Sequence, residues 1–347
     1  MKRRVLATLC VGVALVGCAS PSAVPNAATG RPSGPAATAS SAPALPLMTP
    51  EATIAAEPVG WLVSDGKSIW VLSTLGQVIR IDPATNRVIQ AIWADRDFHG
   101  GGFAVTTAGA WVGDFDQDLE FRVDLTSGKV VASIGVGPNP DGLGGDAAGV
   151  WVANHRGGSV ARIDPATNTV VATVAAGLPG PGGPHEIGIG LGSVWVSAGL
   201  SGTVVRIDPR TNKIQATIDI APGANPCGGF AMDEQAVWMP SCGDDKKLTR
   251  IDPKTNQDIA TIDLGGYGMN PVLIAGAPWL VVTDTDPATG PSRIVRINPA
   301  TNQIDREFSL GDMFKNSNTG LVLAFGSVWV GDWDNNQVLR LPLSAFN

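Results

Sequence analysis

The sequence predicts an all-β fold, a seven-bladed β-propeller built from four-stranded antiparallel blades. The first observation is a tryptophan that recurs at intervals of 40 to 50 residues. The second is an arginine that follows each tryptophan, inside a stretch where apolar and polar residues alternate as expected of a strand. A period of about 40–45 residues with about four strands per unit is typical of propeller blades, so seven copies predict seven blades. The pairs are Trp70 and Arg80, Trp111 and Arg122, Trp151 and Arg162, Trp195 and Arg206, Trp238 and Arg250, Trp279 and Arg296, and Trp329 and Arg340.

The clearest repeat runs from Trp151 to Val174. An apolar run at 150–152 is followed by the alternating stretch 160–164, and the β-branched run 170–174 is the predicted returning strand. The turn between these two strands reads Asp-Pro-Ala-Thr-Asn (164–168), in which Asp suits the first position and Pro presets the backbone of the second. Because every blade has the repeat arginine, we interpret it as structural, with its stem between blades and its head paired to a nearby acid or carbonyl.

The last residue of this turn is predicted to have a positive φ. One repeat departs from the common wording and reads Asp124-Leu-Thr-Ser-Gly128, with Gly in the last place. Asn and Gly are the residues that best tolerate positive φ. The other repeats with a complete turn carry Asn86, Asn168, Asn212, Asn256 and Asn302.

The two ends of the repeat array predict how the ring closes. The last repeat stops at Leu341-Pro342 and lacks its fourth strand, whereas Glu51-Ala-Thr-Ile-Ala resembles the fourth-strand wording at 171–175. We therefore expect the N-terminal strand to complete the last blade, three strands from one end and one from the other. Such closure leaves no exposed sheet edge.

Residues 1–17 are predicted to be a lipoprotein signal peptide. Lys2-Arg3-Arg4 forms its positive segment, and the apolar segment 5–16 is too short to span a bilayer. Leu15-Val16-Gly17-Cys18 has the form of a lipobox, so we expect Cys18 to carry diacylglycerol and, on its amine, an acyl chain such as palmitate. Two or more acyl chains anchor a protein stably. The predicted location is the outer side of the cell membrane.

Residues 18–50 are predicted to be a disordered tether, and 51–347 the propeller. The tether contains Pro, Ala, Ser, Thr and Gly with one charge, Arg31, a composition that buries no core. Fully extended it reaches on the order of 100 Å at polyproline rise. The mature chain is expected to be a monomer held to the membrane by its lipid.

The cysteines Cys227 and Cys242 are predicted to form a disulfide. The hairpin of their repeat turns near Asp233–Ala236, and pairing 233 with 236 places 227 opposite 242. A disulfide between neighbouring strands is geometrically reasonable, and exported proteins favour it. The alternatives are two free thiols or a metal pair, although no third ligand is spaced nearby.

Repeat length varies mainly in the blade connections and in the loops after the tryptophan strands, which share one face. Varied loops on a rigid scaffold commonly carry binding. We expect a polar, mostly acidic pocket at the mouth of the central channel, suited to a cation such as Mg²⁺ or Ca²⁺ or to a polar small molecule. The alternative is that these residues shape solvated turns. The candidates are His99, Asp114, Asp116, Asp118, Asp141, Asn154, His155, Arg156, His185, Glu186, Asp244, Asp245, Asp284, Asp286, Asp332, Trp333 and Asp334.

The repeat wording V-x-R-I-D-P-x-T-N-x-V-x-A-T-I, over residues 51–347, resembles the YVTN-type β-propeller repeat family. The repeats are also similar to the virginiamycin B lyase group of seven-bladed propellers. That group opens a cyclic ester by elimination, with His, Glu and Mg²⁺ at the channel mouth on Pro-His-x-Ile segments. Residues 184–187, Pro-His-Glu-Ile, match one such segment, whereas the next blades begin with Pro226-Cys227-Gly228 and Asn270-Pro271-Val272. The YVTN resemblance implies mostly binding roles.

We interpret the chain as a lipid-anchored binding or interaction module of the cell envelope. Its expected partner is a small molecule, or an envelope protein or polysaccharide, at the variable-loop face. Nucleic acid is excluded because the net charge is −7 and no basic cluster occurs beyond the extreme N-terminus. Two alternatives stay open: a metal-dependent lyase or hydrolase using His185, Glu186 and His155 or Asp141, and a structural envelope scaffold.

Overall fold

The structure is a computed structural model that describes residues 45–56, 58–242, 245–283, 292–311 and 320–347. It confirms the predicted fold, with seven four-stranded antiparallel sheets following one another around a ring. The predicted signal peptide, Cys18 and the tether up to residue 44 lie outside the described residues, as do Asp244, Asp284 and Asp286. Among the described residues, no helix is long and apolar enough to cross a membrane.

Blades 1 to 6 add their strands in chain order from the central channel outwards, and blade 7 takes its outer strand from the N-terminal end of the propeller. Blades 1 to 3 comprise β2 (Leu62–Ser64), β3 (Ile69–Leu72), β4 (Gln77–Asp82) and β5 (Arg87–Trp93); β6 (Phe103–Thr106), β7 (Gly109–Asp114), β8 (Leu119–Asp124) and β9 (Lys129–Gly135); and β10 (Pro140–Asp146), β11 (Gly149–Asn154), β12 (Ser159–Asp164) and β13 (Thr169–Ala175). Blades 4 to 6 comprise β14 (Pro184–Gly190), β15 (Ser193–Ala198), β16 (Thr203–Asp208) and β17 (Lys213–Asp219); β18 (Ala231–Met232), β19 (Val237–Pro240), β20 (Lys247–Asp252) and β21 (Gln257–Asp263); and β22 (Tyr267–Ile274), β23 (Ala277–Thr283), β24 (Arg293–Asn298) and β25 (Gln303–Ser309). Blade 7 comprises β26 (Leu321–Ala324), β27 (Ser327–Asp332), β28 (Gln337–Pro342) and the N-terminal β1 (Ala52–Ala55).

The ring closes as predicted, with the N-terminal strand as the outer strand of blade 7. β1 pairs antiparallel with β28, from Ala52 opposite Arg340 to Ala55 opposite Gln337. Ile54 is 4% exposed and packs between blades 7 and 1. The backbone of Glu51 adds a hydrogen bond from its N–H to the Arg340 carbonyl, at 2.7 Å.

Residues 45–50 differ from the tether that their composition indicates. The Met48 N–H donates to the Ser309 carbonyl and the Ser309 N–H donates to the Pro46 carbonyl, both at 2.9 Å, along the outer strand of blade 6. Met48 is 4% exposed and belongs to the same core cluster as Trp279 and Phe346. One apolar side chain and two backbone hydrogen bonds hold this segment in place. The composition of the predicted tether, averaged over its length, does not predict these contacts.

The repeat tryptophans fill the spaces between neighbouring blades. All seven are at most 3% exposed. Trp151 of blade 3 packs with Val194, Val196 and Ile207 of blade 4, and Trp329 of blade 7 packs with Ile69 of blade 1. Each indole therefore contributes its apolar area to an interface between blades, where large aromatic side chains contribute most.

The repeat arginines join each blade to the turn of the next one, which confirms their structural role. The Arg206 guanidinium lies 4.8 Å from the Trp195 ring centroid. Its Nη1 donates to the Pro253 carbonyl at 2.7 Å and to Asn256 Oδ1 at 3.0 Å. The asparagine has φ of 55°, as the turn predicts. Matching pairs of hydrogen bonds start from Arg122, Arg162, Arg250 and Arg340.

Two arginines depart from this pattern because the receiving turn departs. Arg80 faces blade 2, whose turn ends in Gly128 and offers no asparagine amide. Its Nε donates to Ser68 Oγ at 2.8 Å, and Arg206 and Arg340 make the same kind of bond in addition to their contacts with the next blade. Arg296 faces blade 7, whose outer strand is β1 and is therefore not joined to β28 by a turn, and its guanidinium pairs with Asp305. Arg306 then takes the place over the Trp279 ring, at 5.6 Å. We call the pair of hydrogen bonds from a repeat arginine to the turn of the next blade the arginine clamp. The clamp depends on the asparagine of the turn as much as on the arginine.

Replacing Gly128 by Asn is expected to stabilise the protein by about 0.5–1.5 kcal/mol, the net value of one hydrogen bond. Asn tolerates the φ of 67° found there, and its amide would give Arg80 the acceptor that five other blades supply. A Cβ at this position meets nothing closer than 3.7 Å. Urea unfolding of the mature chain measures the effect. Gly128→Ala is the control, and equal unfolding midpoints for the Asn and Ala variants would contradict the clamp.

Candidate functional site

A cavity of about 690 Å³ opens at one end of the central channel, and we call it the channel mouth. Its lining comes from all seven blades, from the beginnings of innermost strands and from the turns after tryptophan strands. These are the segments in which the sequence places the variable loops. A second cavity of about 240 Å³ continues along the innermost strands and shares Trp61 and Glu186 with the mouth.

β-Bulges at the beginnings of two innermost strands turn polar side chains into the mouth. The pairing of β10 with β11 skips from Pro140 to Leu143, and that of β14 with β15 skips from Pro184 to Ile187. Asp141, and the adjacent His185 and Glu186, are the residues left over. A bulge bends its strand and re-aims the side chains at it. These three side chains therefore line the channel instead of alternating across a flat strand.

Gly142 allows the two bulged strands to approach closely. A Cβ on Gly142 would lie 2.2 Å from the His185 carbonyl oxygen and 2.6 Å from the Glu186 Cα. Such distances are incompatible with any side chain at this position. The approach brings Asp141 of blade 3 beside His185 of blade 4, with Asp141 Oδ2 3.2 Å from His185 Nδ1.

His155 completes a cluster with these groups. Its ring lies 5.2 Å from the His185 ring in an edge-to-face arrangement. Its Nδ1 lies 3.1 Å from the Pro184 carbonyl, which only accepts hydrogen bonds, so this nitrogen carries the proton. The sequence places Asp141, His155 and the adjacent pair His185-Glu186 in three separate segments, and the structure brings them together.

Burial in the channel shifts the ionisation of the first pair. It raises the pKa of Asp141 from 3.8 to about 7, although the nearby His155 partly offsets this rise. It lowers the pKa of His185 from 6.5 to about 4. Protein surrounds both groups on most sides even though water reaches them from the channel. At neutral pH the imidazole of His185 is therefore uncharged, and its contact with Asp141 is not an ion pair.

Glu186 and Tyr267 share this environment. Burial, followed by the charge of Asp141, raises the pKa of Glu186 well above its ordinary value of 4.5. Burial, followed by the charges of Glu186 and Asp141, raises the pKa of Tyr267 as well. The shifts of these two groups show that Asp141, Glu186 and Tyr267 lie near enough to influence one another.

The predicted disulfide between Cys227 and Cys242 is present, with Cα atoms 5.5 Å apart. The register of β18 with β19, in which Met232 lies opposite Val237, is the one that the sequence predicts. Cys227 lines the mouth, and the Tyr267 hydroxyl lies 3.1 Å from Cys242 Sγ. The disulfide therefore shapes the wall beside the only tyrosine of the chain.

Three predicted pocket residues are fully buried at the ends of tryptophan strands, next to the turns that follow, and lie outside the lining of the mouth. Asp114 accepts hydrogen bonds from the backbone of His99, Asp116 and Gln117. Asp332 accepts from the side chains of Asn335 and Gln337 at 2.7 and 2.8 Å. Asn154 donates to Ser159 Oγ at 3.2 Å. These contacts are those of turn-shaping residues, the alternative that the sequence leaves open.

The other candidates divide between the rim and the turns. His99, Arg156 and Trp333 line the mouth, and Trp333 is 41% exposed. Asp118 has φ of 56° and accepts a hydrogen bond from the Asn139 backbone. Asp245 accepts one from the Asn225 backbone at 3.4 Å. Asp116 and Asp334 are exposed.

The described side chains provide no group of three or more His, Cys, Asp or Glu arranged to hold a metal ion. Asp141, His185 and Glu186 are potential ligands but are not grouped around one ion position, and much of the remaining lining is apolar or aromatic. Mg²⁺ and Ca²⁺ require about six oxygen ligands. We therefore assign no metal ligands in the mouth.

Sequence reasoning did not identify the apolar part of the lining. Trp61, Phe98, Phe115, Tyr267 and Met269 all face the cavity. They lie outside the tryptophan and arginine positions of the repeat, where no periodic pattern marks them. The one available signal was that Tyr267 is the single tyrosine in a chain of 347 residues.

Solved structures confirm the fold. The chain superimposes with a TM-score of 0.69 on a chain of the mitotic checkpoint complex, covering 85% of this chain and 94% of that one at 12% identity. The WD40 repeats of RRP9 give a TM-score of 0.64 at 13% identity, covering 86% and 99%. A chain of hydrazine synthase from Kuenenia stuttgartiensis gives 0.62 at 14%, covering 85% and 96%. At these identities the likeness extends to architecture alone.

Comparisons of sequence give no relative. No protein-family model matches the chain, and no curated protein matches it either. Its architecture is a seven-bladed β-propeller, and evidence about its function comes from the mouth itself.

Proposed function

We propose that this protein is an exported, lipid-anchored propeller that binds a small molecule in the channel mouth, and that it acts by binding. The observation that carries the proposal is the cavity of about 690 Å³ into which bulges aim Asp141, His185 and Glu186. Ligand sites are typically concave, about 300–1,000 Å³ in volume, and mostly apolar with a few convergent polar groups. The mouth has each of these properties.

The shifted pKa values of the polar groups favour a binding site at the channel mouth instead of an ordinary solvated end of the channel. Buried carboxyls with raised pKa values cost folding free energy, because the charged form is disfavoured in the folded protein. Perturbed groups of this kind cluster at functional sites. Exposed acids that merely shape turns, such as Asp82 and Asp252, have lowered pKa values, because backbone N–H groups donate to them.

The predicted lipobox and tether supply the location in this proposal. An acylated Cys18 would hold the propeller outside the cytoplasm through the predicted tether, up to the point where Pro46 and Met48 dock on blade 6. The repeat wording supports membership of the YVTN-type group. An envelope protein or polysaccharide that covers the same face is the other partner that the variable loops allow.

Replacing Cys18 by Ala is expected to abolish membrane association, because the thioether-linked lipid is lost and the apolar signal segment is too short to span a bilayer. Phase partitioning of the expressed protein in Triton X-114 measures this. The wild-type chain should enter the detergent phase and the variant the aqueous phase. If the wild-type protein stays in the aqueous phase, the proposed lipid anchor is wrong, whereas the proposal of ligand binding in the channel mouth does not depend on this result.

Ligand binding is tested by a thermal-shift panel on the mature chain with envelope metabolites and divalent metals. A ligand at 100 times its Kd stabilises the folded state by about 2.7 kcal/mol, a shift of several degrees in Tm. Thr74→Trp is the matched control, because Thr74 lines the mouth and lies in a turn held by the Ser73 hydroxyl. The bulky side chain should remove the shift without unfolding the blade. Shifts that persist in this variant would place binding elsewhere.

Elimination or hydrolysis of an ester is the second candidate function, favoured by the position of His185 beside Asp141. A neutral imidazole is competent to accept a proton, and a protonated Glu186 is competent to donate one. Incubation with macrocyclic lactones, with and without Mg²⁺, tests it. Product formation that is lost in His185→Ala would replace binding by catalysis as the function. An unchanged lactone would exclude this candidate for the substrates used.

A further inference from the structure

The two carboxyls of the mouth have no Lys or Arg partner within the described part of the chain, and the nearby His155 only partly offsets the effect of burial on Asp141. The contact closest to an ion pair is that of Asp141 with His185, whose imidazole is neutral at pH 7. Glu186 accompanies Asp141 on the neighbouring strand, and its backbone N–H donates to Ser197 Oγ at 2.9 Å. Because no fixed cation stabilises their ionised forms, burial favours the protonated forms of these two carboxyls. A cationic ligand would stabilise the ionised forms, and this interaction would contribute to its binding free energy.

Aromatic side chains line the same cavity as these carboxyls. Trp61, Phe98 and Phe115 line the mouth on the side of blades 1 and 2, Tyr267 lines it from blade 6 and Trp333 from blade 7. The faces of aromatic rings attract cations, more strongly where water is excluded. The mouth thus combines acidic groups, which a bound cation would ionise, with rings that bind positive charge.

We propose that the channel mouth binds an organic cation, an amine whose ammonium group lies against Asp141 and Glu186 and whose apolar part lies against the aromatic walls. This inference rests on the proposed binding function and names its ligand class. A metal ion fits less well, because the walls offer no set of oxygen ligands and the cavity far exceeds the volume of one ion. An amine of drug size fills such a space and needs few hydrogen-bond acceptors.

The positive groups on this face do not oppose the proposal. Arg156 is exposed and His99 is partly exposed, so water screens both of them. Among the groups closest to the carboxyls, His155 uses its Nδ1 proton on the Pro184 carbonyl, and Tyr267 lies beside the disulfide. An anionic ligand would have to approach two carboxyls to reach the floor, which disfavours it.

The pH dependence of binding follows from these groups. A bound ammonium favours the ionised form of Asp141, whose pKa is about 7 in the free protein. Affinity is therefore expected to rise from pH 6 to pH 8, with release of up to one proton from Asp141 or Glu186. His185 stays neutral over this range because its pKa is about 4. The other titratable or charged groups that face the site are His155, His99, Arg156 and Tyr267.

Three probes that share one aromatic part and differ in charge test the proposal: 2-phenylethylamine, 2-phenylethanol and phenylacetate. Isothermal titration uses the mature lipidated chain in a nonionic detergent. The amine is expected to bind about tenfold more tightly than the alcohol, and the carboxylate most weakly. Asp141→Asn with Glu186→Gln should remove the difference between amine and alcohol. The control variant Asp334→Asn removes an exposed charge of the same face and should preserve it.

The outcomes separate this inference from the binding function. If the alcohol or the carboxylate binds more tightly than the amine, and this binding is lost in Thr74→Trp, the proposed ligand class is wrong and the proposed binding site in the channel mouth stands. An absence of binding heat with all three probes would also contradict the proposal that the ligand is an amine. The thermal-shift panel would then decide whether the channel mouth binds another ligand. Proton uptake on amine binding, measured in two buffers of different ionisation enthalpy, would contradict the role of the carboxyls. A preserved Tm in each variant shows that it folds.

Discussion

Deleting residues 1–57 is expected to lower the free energy of unfolding by about 3–5 kcal/mol, comparable with truncation of a buried core side chain. The deletion removes β1 and its four paired positions on β28. It also removes the buried side chains of Ile54 and Met48. The loss exposes β28 as an unpaired edge, which is a template for aggregation. Concentration-dependent light scattering should therefore accompany the lower Tm.

A series of deletions separates the two contributions. Removal of 1–44 is expected to leave the Tm unchanged, since the contacts described above begin at Pro46. Removal of 1–50 takes away Met48 and its two backbone hydrogen bonds and should have an intermediate effect. Thermal unfolding of the three truncated chains measures the steps. Equal Tm values for the 1–44 and 1–57 deletions would mean that the N-terminal strand does not close the ring.

Replacing Glu120 by Val is expected to stabilise the protein by about 2–4 kcal/mol at pH 8. Glu120 is fully buried, and neither carboxyl oxygen has a hydrogen-bond partner among the described residues. It lies opposite Gly113 on β7. The other six blades carry a fully buried aliphatic residue at this position: Val78, Val160, Val204, Leu248, Ile294 and Val338.

The gain should depend on pH. Burial raises the pKa of Glu120 well above its ordinary value of 4.5. A raised pKa in the folded state means that the stability of the protonated form is complete below about pH 4.5 and is lost as pH rises through the folded pKa. The advantage of Glu120→Val over wild type should therefore be smallest at pH 4 and grow toward pH 8.

Urea unfolding at several pH values tests this prediction. Glu120→Gln cannot ionise, so it should lose the pH dependence assigned to this group while it keeps an unsatisfied buried amide. Glu234→Val, at an exposed glutamate, is the control and should change stability little. A Glu120→Val variant that is less stable than wild type at pH 8 would show that the carboxyl has a structural role.

The repeats by themselves determined the blade count, the ring closure, the positive φ of the turn asparagines and the partner of Cys227. Each follows from a periodic or local pattern. Residues alternate along strands, turns require particular residues, and the residue numbers of paired positions in an antiparallel hairpin add up to the same value. The role of the repeat arginines also followed from their number. Their acceptor, an asparagine amide in the next blade, needed the structure, because it lies 46 to 52 residues away in the chain for four of the arginines and 254 residues away for Arg340.

The tertiary structure alone decided which polar loop residues form the mouth. Asp114, Asp332 and Asp141 are equally acidic in sequence, yet two are held by turns and one is aimed into the channel by a bulge. A bulge is a mismatch in residue number between two strands, so the sequence of either strand does not reveal it. The burial of Glu120 and the docking of Met48 are likewise set by neighbours distant in the chain. Local and periodic features were therefore predictable, whereas the chemistry of the mouth depended on contacts between blades.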